Sequence, residues 1–172
     1  MKQYSMRAFI AAALALGALL ATESAAYAAD PSVSGGGIVA GGVGTTSQLG
    51  FTASSSGGQF LCVMAGRSGG FPFGPWASIT QMRVEGSVDG PVTLSGGVAS
   101  FSGIATIHVV GRTSSGEILT ASVPNVPFTS RQTAGGAGVA THRLEVTLGS
   151  SVVAFPPIGR APLSAGRITI RS

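Results

Sequence analysis

The sequence predicts an all-β protein, either a single antiparallel barrel or a tightly coiled β-sandwich of about nine to eleven short strands. Three observations carry that expectation. Apolar and polar residues alternate at a period of two through much of the chain, the signature of half-buried strands. The 27 glycines and nine prolines punctuate that alternation at short intervals, which means short strands and tight turns. Beyond the first 28 residues no segment carries the period of an amphipathic helix. A run of strands with Gly and Pro turns closes as a sandwich or a barrel.

The elements follow in order. Asp30 to Gly37 reads as a polar, glycine-rich lead-in, and Ile38-Val39-Ala40 as a short edge strand. Leu49, Phe51 and Ala53 alternate with Gln48, Gly50 and Thr52. Ser54 to Gly58 is a turn. Phe60 to Ala65 is apolar on both faces and reads as a central strand. Met82, Val84 and Val88 alternate with Arg83 and Glu85, and Asp89-Gly90 signals a hairpin turn. Val92 to Leu94 returns, and Gly96-Gly97 turns again. Val98 to Val110 is the longest strand expected, with Ala99, Phe101, Gly103, Ala105, Ile107 and Val109 on one face. Gly103 in its middle suggests a bend or bulge. Ile118 to Val123 follows, interrupted by Pro124 and Pro127, and Phe128 to Gln132 resumes. Ala134 to Gly138 reads as a flexible connection. Leu144, Val146 and Leu148 alternate with Arg143, Glu145 and Thr147. Val152 to Phe155 is short and is stopped by Pro156-Pro157. Ile168 and Ile170 alternate with three polar residues at the end of the chain.

Met1–Ala28 has the order of a cleavable signal peptide. Lys2 and Arg7 are positive, Ala8 to Leu20 is uncharged and apolar, and Ala26-Tyr27-Ala28 offers small residues at the two positions read by the peptidase. The apolar run is shorter than the roughly 20 residues that span a bilayer. Cleavage between Ala28 and Ala29 leaves one domain, residues 29–172, that is secreted or periplasmic, with no transmembrane segment. An outer-membrane barrel would turn apolar residues outward and polar ones to the lumen. The strands read here are too short for one.

That domain carries eight arginines, no lysine and five acids, a net charge of +3. The arginines are scattered from Arg67 to Arg171, whereas nucleic-acid binders cluster their cations on one face, so no nucleic-acid partner is expected. The single cysteine, Cys62, makes no internal disulfide. Its neighbours Leu61 and Val63 are apolar, so it reads as a buried thiol packing as a small hydrophobe.

No catalytic, metal or cofactor constellation stands out. Gly66-Arg67-Ser68-Gly69-Gly70 matches the G-x-S-x-G nucleophile elbow, which works only on a strand-to-helix turn. Phe71-Pro72-Phe73-Gly74-Pro75 follows and cannot open a helix. His108 lies on the polar face of the long strand. His142 shares parity with Leu144 and Val146. Both read as surface or barrel-end residues, and no cluster of three or four zinc ligands is visible. Glu85 and Asp89 form a possible carboxylate pair, which a glycosidase would need ~5–9 Å apart.

The loop Gly66–Trp76 concentrates three aromatics among prolines and glycines. Phe71, Phe73 and Trp76 are the candidate ligand or partner contacts, since loops on a rigid scaffold carry binding residues. The plainer role of the same aromatics is a plug over one end of the core.

The layout resembles small exported bacterial proteins of the post-COAP type. The features that carry the resemblance are the lead-in Gly35–Gly37, the strand Leu49–Phe51, Gly86–Val88, the strand Ala99–Gly103 and the closing Gly166–Ile170. The acidic loop of that family has no counterpart here, because Thr133–Val139 holds no acid. The resemblance implies an extracellular β module and carries over no catalytic residue. The expected function is therefore an exported non-enzymatic β domain, a binding or structural module meeting a protein, a glycan or an apolar ligand. One alternative is an apolar-ligand carrier using a barrel lumen. Another is a weak hydrolase or isomerase using His108 or His142 with an acid.

Overall fold

A computed structural model describes residues 30–40, 46–68, 75–155 and 159–172. The signal segment lies outside the described residues. The chain forms eleven strands: β1 (Ser32–Ala40), β2 (Thr46–Ser54), β3 (Gly57–Ser68), β4 (Ser78–Val88), β5 (Thr93–Ser95), β6 (Val98–Arg112), β7 (Ile118–Thr133), β8 (Gly135–Gly136), β9 (Thr141–Leu148), β10 (Ser151–Phe155) and β11 (Ala161–Arg171). All belong to one antiparallel sheet. Eight of them pair in chain order, β1-β2-β3-β4-β6-β7-β9-β11, and β11 pairs back to β1 from Ser32↔Arg171 to Val39↔Leu163. The sheet is therefore a closed ring with up-and-down connectivity. Eight strands enclose a space that side chains just fill.

The seam of the ring is its thinnest ladder. β9 meets β11 only at Ala161↔His142 and Pro162↔Thr141. Leu163 N–H donates to Ala140 O at 2.8 Å, Gly138 N–H donates to Leu163 O at 2.8 Å, and β8 adds two pairs to β11.

Alternation decides which face is core. Along β6, Ala99, Phe101, Ala105, Ile107 and Val109 are buried, while Ser102 and Ile104 are exposed. Phe51, Phe60, Phe101 and Phe128 cluster in the interior with ring centroids 5.0–6.5 Å apart. Met82, Val84, Ile107, Val109, Leu144 and Val146 are buried in the same core. Gly103 makes room for this packing, because a Cβ there would come 2.8 Å from the ring of Phe128. The buried face is almost wholly apolar, with Ser130, Gln132 and His142 as its polar members, whereas a membrane-spanning barrel keeps a polar interior.

Several sequence expectations are corrected. Two strands are longer than expected: β6 has 15 residues and β7 has 16. Pro124 and Pro127 do not break β7. The register shift between Ala105↔Val126 and Ile107↔Val123 sets two residues, Pro124 and Asn125, against Thr106. Asn125 takes φ 58°, so a bulge absorbs the proline. The glycine-rich lead-in is itself strand, and β1 is paired on both sides by β2 and β11 rather than lying at an edge. At Gly35 and Gly37 a Cβ would run into the backbone of β11, so glycine is what permits that close approach. The chain does not reverse at Asp89-Gly90. β5 pairs with β6 and continues along the place that β4 leaves. The reversal comes at Gly96-Gly97, with φ 55° and 76°, the two positive values of a type I′ hairpin. The connection after β7 contains β8.

Candidate functional site

Of the loop aromatics, Phe71 and Phe73 lie outside the described residues. Trp76 is half-buried and packs against the core. Its Nε1–H donates to Leu119 O at 3.3 Å, and its ring lies over Gly111, where a Cβ would come 2.6 Å from Cδ1. It makes the contacts of a plug. The stretch of Gly66–Ser68 belongs to β3 rather than to a strand-to-helix turn.

Polar side chains converge in two places. The first is inside the ring. Ser130, Gln132 and His142 are 0–2 % exposed, brought together by the β7–β9 pair Gln132↔His142. Gln132 Nε2 donates to Ser130 Oγ at 2.7 Å, and Ser130 Oγ donates to Arg143 O at 3.3 Å. The carboxamide of Gln132 meets His142 Nδ1, with Nε2 at 2.9 Å and Oε1 at 3.1 Å. The imidazole stacks on Phe60 at 6.2 Å and 18°, and its Nε2 has no hydrogen-bond partner among the described residues. Burial pushes the imidazole pKa down to about 4, because charge without water is costly. His142 is thus not the surface residue the sequence suggested. Its parity with Leu144 and Val146 was the signal that placed it inside.

The second place is the outer wall. There, Arg83, His108 and Ser122 lie side by side on β4, β6 and β7, through Arg83↔His108 and His108↔Ser122. His108 Nδ1 is 2.8 Å from Ser122 Oγ, and His108 Nε2 is 3.3 Å from Glu85 Oε1. The Arg83 guanidinium pairs with Glu85 Oε2. A carboxylate only accepts, so a neutral imidazole that donates from Nε2 to Glu85 accepts the Ser122 O–H at Nδ1. Glu85 and Asp89 do not form a glycosidase pair: four residues of extended chain separate them by ~13 Å.

Glu85 and Arg83 also border an open hollow of about 580 Å³ on the outside of β2, β3 and β4, walled by Thr52, Gln59, Leu61 and Ser87. Its floor is open because a side chain on Gly50 would meet nothing. A second hollow, of about 390 Å³, continues from Thr52 across β1 to Thr169 and Arg171 of β11. Ser32, Ser34, Ser54 and Ser56 give it a hydroxyl lining. Among the described residues no group of three metal-ligating side chains comes together.

Fold and site together define an all-β ring with a packed phenylalanine core and a polar, hollowed outer wall. No family model matches the chain, and neither a curated protein nor a solved structure does.

Proposed function

We propose that the chain is an exported binding module that takes an acidic glycan along the outer wall of β11, β1, β2, β3 and β4. One observation carries the reading: two hollows join at Thr52 on that wall, lined with hydroxyls and amides and ended by Arg171 and Arg83. Hydroxyl and amide groups match the hydrogen-bonding demand of sugar hydroxyls. Arg167 and Arg171 stand exposed on β11, and Glu85, the acid that lines the hollows, is held by Arg83. That balance favours carboxylated or sulfated sugars. Export rests on the order of Lys2, Arg7, Ala8 to Leu20 and Ala26-Tyr27-Ala28. A lumen carrier is the weaker reading, because four phenylalanine rings occupy part of the volume an apolar ligand would take.

Affinity electrophoresis in gels containing polygalacturonate or dextran tests the proposal. Polygalacturonate should retard the protein and neutral dextran should not. Thr52→Trp, which blocks the junction of the hollows, should abolish the retardation. Equal mobility in both gels, or unchanged retardation of Thr52→Trp, overturns it.

A further inference from the structure

We propose that Ser122 is an activated nucleophile, with His108 as its general base and Glu85 as the group that orients His108, able to transfer small acyl groups from esters to water. The proposal stands apart from the glycan reading: it shares Arg83 and Glu85 with that wall but turns on His108 and Ser122, which line neither hollow.

Three observations converge on one spot. The first is the relay. Glu85 Oε1, His108 Nε2, His108 Nδ1 and Ser122 Oγ are joined by gaps of 3.3 Å and 2.8 Å, within the reach expected of a nucleophile, its base and the base's orienter. Because Glu85 can only accept, the lone pair of Nδ1 faces the serine hydroxyl. The tautomer is the one a base needs, with the two ring nitrogens exchanged relative to the usual serine hydrolase arrangement. Arg83 holds the far oxygen of Glu85 and so fixes the carboxylate against the ring.

The second is the backbone. Ser122 lies just before the bulge at Pro124 and Asn125. Bulges re-aim side chains and gather next to reactive sites. Asn125 is the one non-glycine among the described residues with positive φ. Such residues concentrate where function over-determines the backbone. Asn125 is exposed, three residues after the serine.

The third is access. Ser122 is exposed on the outer wall, and the hollow reaches only the Glu85 end of the relay. An acyl group can reach Oγ without any opening of the ring.

The step balances without an added oxidant, reductant or metal. The Ser122 Oγ–H proton passes to His108 Nδ1 as Oγ bonds to the ester carbonyl carbon. The C–O bond to the leaving group breaks, and the departing oxygen takes the proton from Nδ1. Water then gives a proton to Nδ1 and bonds to the acyl carbon. Oγ leaves with that proton, releasing a carboxylic acid and restoring the serine. An exposed site suits esters with good leaving groups, such as aryl acetates.

The test is the rate at which a fluorophosphonate modifies Ser122, read by peptide mass spectrometry. Exposed Ser87 of the same wall is the internal reference. Ser122 should react at least ~100-fold faster than Ser87, the size of effect general-base assistance gives. His108→Gln keeps a polar partner beside Ser122 and removes the base, and it should bring Ser122 down to the rate of Ser87. Glu85→Gln should slow Ser122 at least tenfold. Wild-type protein should release p-nitrophenol from p-nitrophenyl acetate, and Ser122→Ala should not. Ser122 reacting no faster than Ser87 in the wild type overturns the proposal whatever the variants do. So does an unchanged Ser122 rate in a folded His108→Gln.

Discussion

Acid should unfold this protein through His142. The imidazole sits between Gln132 and Phe60 with Nε2 unpartnered among the described residues, and burial lowers its pKa from 6.5 to about 4. Gln132 and Phe60, which flank the ring, carry no charge that would stabilise an imidazolium. In the native state His142 therefore stays neutral down to about pH 4, while in the unfolded chain it takes a proton once the pH falls below 6.5. Its contribution to stability is whole above pH 6.5, declines as the pH drops from there to about 4, and falls no further below. At 1.36 kcal/mol per pKa unit the loss is about 3 kcal/mol, a large part of the ~5–15 kcal/mol that holds a domain folded. The assay is urea unfolding of wild type and His142→Gln at pH 7 and pH 4. Every other ionisable group is common to the two proteins, so the difference between the two pH-induced drops isolates His142. The wild-type drop should exceed that of His142→Gln by about 3 kcal/mol. Equal drops would refute the reasoning, since they would mean that the folded protein protonates His142 as readily as the unfolded chain does.

Two further outcomes follow from burial. Cys62 is 1 % exposed and desolvation pushes its thiol up to about 12, so native protein should resist a maleimide that labels the urea-unfolded chain within minutes. Labelling of native protein at the unfolded rate would contradict the burial. Trp76→Ala removes a half-buried ring and its hydrogen bond to Leu119 O, which should lower the unfolding free energy by ~2–4 kcal/mol. A change within ~0.5 kcal/mol would instead mark Trp76 as a surface residue.

The fold was legible where alternation was unbroken. Ala99 to Val109 declared a buried face, and Phe60 to Ala65 declared a strand flanked on both sides, which is where β3 lies. What failed was punctuation. Pro124, Pro127 and the glycines at 35–37 looked like strand breakers, yet a bulge and a close approach of β11 turned each into strand. Local sequence cannot show a neighbour's backbone. The same limit hid the site. His108 and Glu85 were each visible as outward polar residues, but Ser122 drew no notice. Its place beside His108 depends on the register of β6 against β7, and a bulge sets that register. His142 carried its signal in its parity with Leu144 and Val146, which outweighed the usual preference of histidine for the surface.

Closing the ring gives the eight strands partners on both sides, and among the described residues it leaves β10 at the end of the pairing order, beside β9. Ser151 to Ala154 carry no charge, and Val152 is 65 % exposed. Pro156 and Pro157 follow at once in the chain and lack the N–H groups that a longer ladder would need, so the chain places a stop directly behind its most apolar exposed strand.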